Sequence, residues 1–156
     1  MSDYSGLLQA IKLKVCQNNN TPEHFLFDMT VQRCRETWYR IGQIFTLECV
    51  LEEYRRKNAH LHYHLDNRKA LHHMIFRITK WKLEDIRKLS LRDSLFVISE
   101  YLTPENMCEE AATFLANLKL PVTHIDTTHW PDLDWAPEQN SVFLQKFAMR
   151  KNQDID

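Results

Sequence analysis

Glycine is nearly missing from this chain: Gly6 and Gly42 are the only two in 156 residues. Average usage would supply about five times as many. Turn-rich sheets and phosphate-cradling loops both consume glycine, because it reaches positive φ and lets backbone approach a ligand closely. Its scarcity excludes a P-loop and a dinucleotide-binding fingerprint, and there is no Gly-x-Ser-x-Gly elbow to present a nucleophilic serine. Cysteine lacks any pairing pattern, since Cys16, Cys34, Cys49 and Cys108 are widely spaced with no Cys-x-x-Cys. With no hydrophobic leader at the N-terminus, a reducing, cytoplasmic setting is expected. No apolar run approaches the roughly 18 residues that span a bilayer, so no membrane partner is expected.

What remains is ordinary globular composition, 44% apolar and 26% charged, in a length that suits one domain with its own core. We expect a single helical domain over residues 1–150 and a frayed tail over 151–156. The periodicity is helical. Leu8, Ile11 and Val15 stripe a first helix from Tyr4 to Gln17, and Asn18, Asn19 and Asn20 stop it. Thr21-Pro22-Glu23 opens a second element in which Phe27, Val31, Cys34, Trp38, Ile41 and Phe45 recur at three- and four-residue spacing. Ile44, Leu47, Leu51 and Tyr54 add a second stripe, which predicts a long central helix packed on from several sides, or two helices broken near Asp28–Thr30.

That helix should fail near Asn58, leaving His60–Leu65 as a loop or short strand. Asp66 then caps a helix burying Leu71, Met74 or Ile75, Ile78 and Trp81, which ends near Trp81 or runs on to Leu89. Ser90-Leu91-Arg92-Asp93 resembles a capping box ahead of Leu95, Ile98 and Leu102. Thr103-Pro104-Glu105 starts a helix carrying Met107, Ala111, Leu115 and Leu118, stopped by Pro121. An irregular loop is expected near 122–136, followed from Pro137 by a last helix with Phe143, Phe147 and Met149 inward. The fold class is thus all-α: a bundle of about five to six helices.

Charge is near zero overall but unevenly placed. Residues 1–99 hold 16 bases and 11 acids, whereas 100–156 hold 4 bases and 10 acids. The basic segment 55–92 is the densest feature. Its Arg55, Arg56, Lys57, Arg68, Lys69, Arg77, Lys80 and Lys82 are interleaved with Trp81, a pattern that suits phosphate neutralisation with base stacking. The bland alternative is that these are the wet faces of ordinary helices, partly neutralised by the acidic C-terminal third.

Histidines cluster too. His60, His62 and His64 would point one way from an extended segment, yet without a defined fourth ligand they read as a solvated loop, and no metal or cofactor is expected. His124-Ile125-Asp126 has a metallohydrolase-like spacing, but a turn closed by Asp126, Thr127 and Thr128 accounts for it. Arg-x-x-x-x-His occurs at Arg55–His60 and Arg68–His73, and resembles the motif of HEPN ribonucleases. That resemblance implies an all-helical dimer in which Arg68 binds an RNA phosphate and His73 moves a proton without metal. On an ideal helix, however, Arg68 and His73 lie about 140° apart, and His72 is the nearer neighbour of Arg68.

Glu52-Glu53 and Glu109-Glu110 are expected on wet helix faces. Trp130 and Trp135, flanked by Pro131 and Pro137, are expected at the surface as binding anchors. With no catalytic constellation legible, the leading expectation is a non-enzymatic adaptor, regulator or inhibitor with a protein partner, its oppositely charged halves also allowing a homodimer. Nucleic-acid binding through 55–92 is the alternative, and a HEPN-like ribonuclease the third.

Overall fold

The computed structural model describes residues 1–59, 64–120 and 125–147. Among these residues the chain is all helix and connection, without a strand: α1 (Tyr4–Asn18), α2 (Gln32–Lys57), α3 (Asn67–Thr79), α4 (Leu83–Arg87), α5 (Leu91–Val97), α6 (Glu109–Asn117) and α7 (Pro137–Asn140), joined by 3₁₀ turns. The tail expected to fray over 151–156 lies outside the described residues.

The central helix is α2, and α1, α3 and the turn at Pro104–Asn106 all pack on it. It does not begin at Pro22. The Asp28 carboxylate accepts from the Thr30 N–H at 3.0 Å, a local turn that competes with helix. Glu23–Phe27 is accordingly a 3₁₀ turn, and the break falls where Asp28–Thr30 suggested it. At the other end the Asn58 side chain donates to the Tyr54 carbonyl at 2.8 Å and ends the helix.

In α1 the buried stripe is Leu7, Ile11 and Val15, each fully buried. Leu8 is half-buried, because the i, i+4, i+8 register places Leu7 on the axis of that stripe. Asp3 caps this helix, its carboxylate accepting from Gly6 N–H at 2.9 Å. A Cβ on Gly6 would collide with that carboxylate and with the Phe143 ring, so one of the two glycines is there for a close approach.

Asp66 caps α3 as expected, accepting from Lys69 N–H at 2.8 Å. The helix then stops at Lys80, which takes the left-handed conformation at φ 60°. Trp81 therefore falls beyond the helix, and Ile78 in its last turn is exposed as well, so neither is buried as their spacing suggested. Ser90 accepts from Asp93 N–H at 3.1 Å and caps α5. The expected last helix is one turn, α7, followed by a 3₁₀ turn, with Leu144 buried and Phe143 and Phe147 half-buried. Met149 lies outside the described residues. Buried apolar side chains from α1 to α6, with Trp130, Trp135 and Leu144, form one continuous cluster.

Candidate functional site

One flank of α2 stays open. Trp38, Gly42 and Thr46, four residues apart on one helix face, floor a groove of about 900 Å³ walled by α5, α6 and the loop at 125–130. Leu95 and Phe96 of α5 and Ala112, Leu115 and Ala116 of α6 make its walls largely apolar. Phe96 is 81% exposed although it lines the groove. The second glycine explains the close approach here: a Cβ on Gly42 would stand 2.9 Å from Leu120 Cδ1. Polar groups gather at the floor. Gln43 Oε1 accepts from Arg40 Nη1 at 2.8 Å and from Thr127 Oγ1 at 3.0 Å, which ties the loop to α2. Arg92 and Asp93 sit on one wall as a 3.4 Å ion pair, and Lys119 also lines the groove.

Behind the groove lies a buried polar seam. Arg40 donates through Nε to Asp134 Oδ2 at 2.9 Å, and Asn18 and Asn19 donate to Asp134 Oδ1 at 3.1 and 3.0 Å. Further along α2, the core-facing stripe changes from Ile41 and Phe45 to Glu48, Glu52 and Arg55. Glu52 accepts from Tyr4 Oη at 2.7 Å and from Ser2 Oγ. Tyr4 Oη also meets Cys108 Sγ at 3.0 Å. Burial, together with these neighbours, raises the Tyr4 phenol well above its ordinary value. Glu52 and Glu53 are thus not on a wet face: both are buried, Glu52 beneath Ser2, Tyr4 and Gln145 and Glu53 beneath Arg56 of the helix's own last turn. Glu109 and Glu110 are exposed, as expected.

Glu48 is fully buried and accepts from the Trp135 indole N–H. Desolvation pushes its carboxyl up to about 6, against the pull of hydrogen bonds from Trp135, Asn67 and Asn140 and the charge of Arg55. Among the described residues, Glu48 Oε2, Asn67 Oδ1 and Arg55 Nε have no hydrogen-bond partner. Burial likewise raises the thiols of Cys16, Cys34 and Cys49, which keeps them protonated at neutral pH and poor as nucleophiles.

Trp130 and Trp135 correct the expectation of surface anchors. Each is only 6% exposed. Trp135 is drawn inward by its bond to Glu48 and is covered by the Arg68 guanidinium, 5.1 Å from its ring centre. Trp130 is covered by Arg33 at 4.7 Å, while one side of it contributes to the groove.

The basic segment divides into two groups. Arg55 is buried, its Nη2 donating to the Gln145 carbonyl at 3.4 Å and its guanidinium 5.5 Å from the Phe147 ring, so it is not a surface cation. Arg56 is held by Glu53. Arg68 forms a two-pronged contact with Glu138, at 2.6 and 3.1 Å. Lys57, Lys69, Arg77, Lys80, Trp81 and Lys82 are exposed. Arg77 reaches Asn58 Oδ1 at 3.3 Å and lies over Tyr54.

The structure does not bring Arg68 and His73 together. Arg68 turns to α7, whereas His73 Nδ1 meets the Tyr54 hydroxyl of α2. Burial lowers His73, and the cations of Arg77 and Lys80 lower it further. Burial also lowers His72, with Arg68 and Arg87 adding to the effect. His60, His62 and His124 lie outside the described residues, and the described residues contain no cluster of metal-ligating side chains. At the 125–130 loop, Asp126 accepts from Thr128 N–H at 2.9 Å, the turn expected there. No helix among the described residues is long and apolar enough to cross a membrane. No protein-family model, curated protein or solved structure matches this chain, so what the site does has to be read from its own residues.

Proposed function

We propose that this protein is a non-enzymatic interaction module, an adaptor, regulator or inhibitor, whose partner inserts an apolar segment into the groove between α2, α5 and α6. The observation that carries this reading is the groove itself, about 900 Å³, with Phe96 81% exposed while lining it. Grooves between helices that present apolar walls and a few fixed polar groups suit an amphipathic helix laid along them. The ionisable side chains that would attract a catalytic reading support it from the other side. Glu52, Arg40, Asp134 and Arg68 are engaged with other parts of the fold.

Ala116 lines the groove from an exposed position on α6, where arginine is a good helix former. Ala116→Arg should fill the groove without disturbing the core. The test is quantitative co-purification under native conditions with the wild type and Ala116→Arg side by side, with thermal melts of both. The expected result is a partner recovered at least about tenfold less with the variant, at an unchanged melting temperature. Recovery of the same partners by both proteins, or of none by either without self-association, overturns the reading. Size exclusion decides the homodimer: self-association abolished by Ala116→Arg identifies a second copy of this chain as the partner.

A further inference from the structure

The corner where α3 meets α4 has a different chemistry from the groove. Along the solvent side of α3, Lys69 and Phe76 stand seven residues apart and lie within about 20° of each other around the helix, and Lys80 is the left-handed residue that ends it. All three are exposed. Lys69 and Lys80 are separated by about 16 Å of helix, with the Phe76 ring between them and Lys80 Nζ 5.4 Å from its centre. Immediately beyond, Trp81 is 48% exposed and is followed by Lys82.

This corner is firmly built. Thr79 Oγ1 donates to the Ile75 carbonyl at 2.8 Å and accepts from Trp81 N–H at 3.1 Å, while the left-handed Lys80 turns the chain out of the helix. Residues 76–88 carry five bases, Arg77, Lys80, Lys82, Arg87 and Lys88, against Glu84 and Asp85. Glu84 is engaged with Lys88 at 3.4 Å. Among the described residues, Lys69, Lys80, Lys82 and Arg87 are in no ion pair.

We infer that this corner binds single-stranded nucleic acid, with Phe76 and Trp81 stacking on unpaired bases and Lys69, Lys80 and Lys82 neutralising the phosphates on either side. Cations alone would suit any polyanion. Exposed aromatic rings between them add a contact that unpaired bases offer and that duplex DNA or an acidic peptide does not. A membrane surface fits less well. Ile78 lies about 160° around α3 from Phe76, so these two exposed apolar side chains do not share one face that could enter lipid.

The inference is independent of the groove and is tested separately. Fluorescence anisotropy of a labelled oligothymidylate of about fifteen residues, at about 50 and about 200 mM salt, should show binding that weakens steeply with salt. Binding should quench tryptophan emission through Trp81, since Trp130 and Trp135 are buried and Trp38 is half-buried. Lys69→Glu with Lys80→Glu should weaken binding at least about tenfold. Phe76→Ala with Trp81→Ala should weaken it about tenfold at unchanged salt dependence. All four positions are exposed, so circular dichroism should report an intact fold, and Ala116→Arg should bind like wild type. Four results would each overturn the inference: no binding at low salt, insensitivity to either pair of substitutions, equal affinity for a blunt duplex, or competition by polyglutamate as strong as by unlabelled oligothymidylate. Binding to anionic vesicles without binding to the oligonucleotide would overturn it as well.

Discussion

Along one flank of α2, Glu48, Glu52 and Arg55 are each less than a tenth exposed and are enclosed by Trp135, Tyr4, Asn67 and the chain near Gln145. Along another flank of the same helix, Trp38, Gly42 and Thr46 face an open groove with largely apolar walls. The residues with most chemical potential are therefore used to hold the fold, and the open surface is made of residues that offer shape. A buried ion pair or carboxylate costs desolvation and is tolerated only when well coordinated. An apolar surface left open is retained in soluble proteins chiefly where something binds it.

The sharpest way to break this contrast is to remove one partner in the seam. Asp134→Ala should leave the Arg40 guanidinium, 3% exposed, without its carboxylate. We expect a loss of about 3–5 kcal/mol in urea denaturation. Arg40→Met with Asp134→Leu should recover part of that loss, because the two charges then disappear together while Asn18 and Asn19 still lose their acceptor. A loss under about 1 kcal/mol for Asp134→Ala would show that the pair is hydrated, and the seam would no longer be structural.

Glu48 offers a smaller effect with a distinctive pH dependence. Its folded value of about 6 lies above the ordinary 4.5 of a glutamate. Between those two values the folded protein keeps a proton that the unfolded chain has released. The stability contributed by that proton is present at acid pH and lost as the pH rises through about 6. Glu48→Gln keeps an acceptor for the Trp135 indole and removes the titration. Its stability gain over wild type should be small near pH 5 and rise to a plateau on the order of 2 kcal/mol above about pH 7. Parallel urea midpoints for the two proteins across that range would show an ordinary, solvated carboxyl.

On the groove side, Gly42→Ala should have the smallest effect on stability. The new methyl meets the flexible end of the Leu120 side chain, and alanine favours helix over glycine by about 1 kcal/mol. The variant should be equal to wild type or more stable by less than about 1 kcal/mol, while the narrowed groove releases its partner. Thermal melts and the co-purification assay, run on the same samples, separate these two readouts.

Several features are legible in the sequence alone. Proline, the Asn18–Asn20 run, Asp66 and Ser90 act on their immediate neighbours through backbone hydrogen bonds and φ restriction, so helix ends near them could be placed from local chemistry. The double stripe of α2 likewise announced a central helix. The stripes failed where the core ran out: Ile78 continues the α3 pattern but is exposed in the last turn, and Lys80 turns the chain at Trp81 away from the bundle. The groove left one local trace, a glycine in the middle of a long helix. The seam left another, the acidic Glu48, Glu52 and Glu53 interrupting an apolar face.

By itself, then, the sequence determined that the chain is helical and roughly where α1, α3 and α5 begin, because periodicity and capping act over a few residues. Only the tertiary structure decided which charges are solvated and which are buried. Arg55 and Lys57 stand two apart on the same helix, yet one is covered by the chain at Gln145 and Phe147 and the other is exposed. Trp135 and Trp81 are alike in composition and opposite in burial, since one meets Glu48 in the core and the other projects from a helix corner. Those outcomes depend on contacts between residues as much as ninety positions apart in the chain, and local spacing carries no record of them.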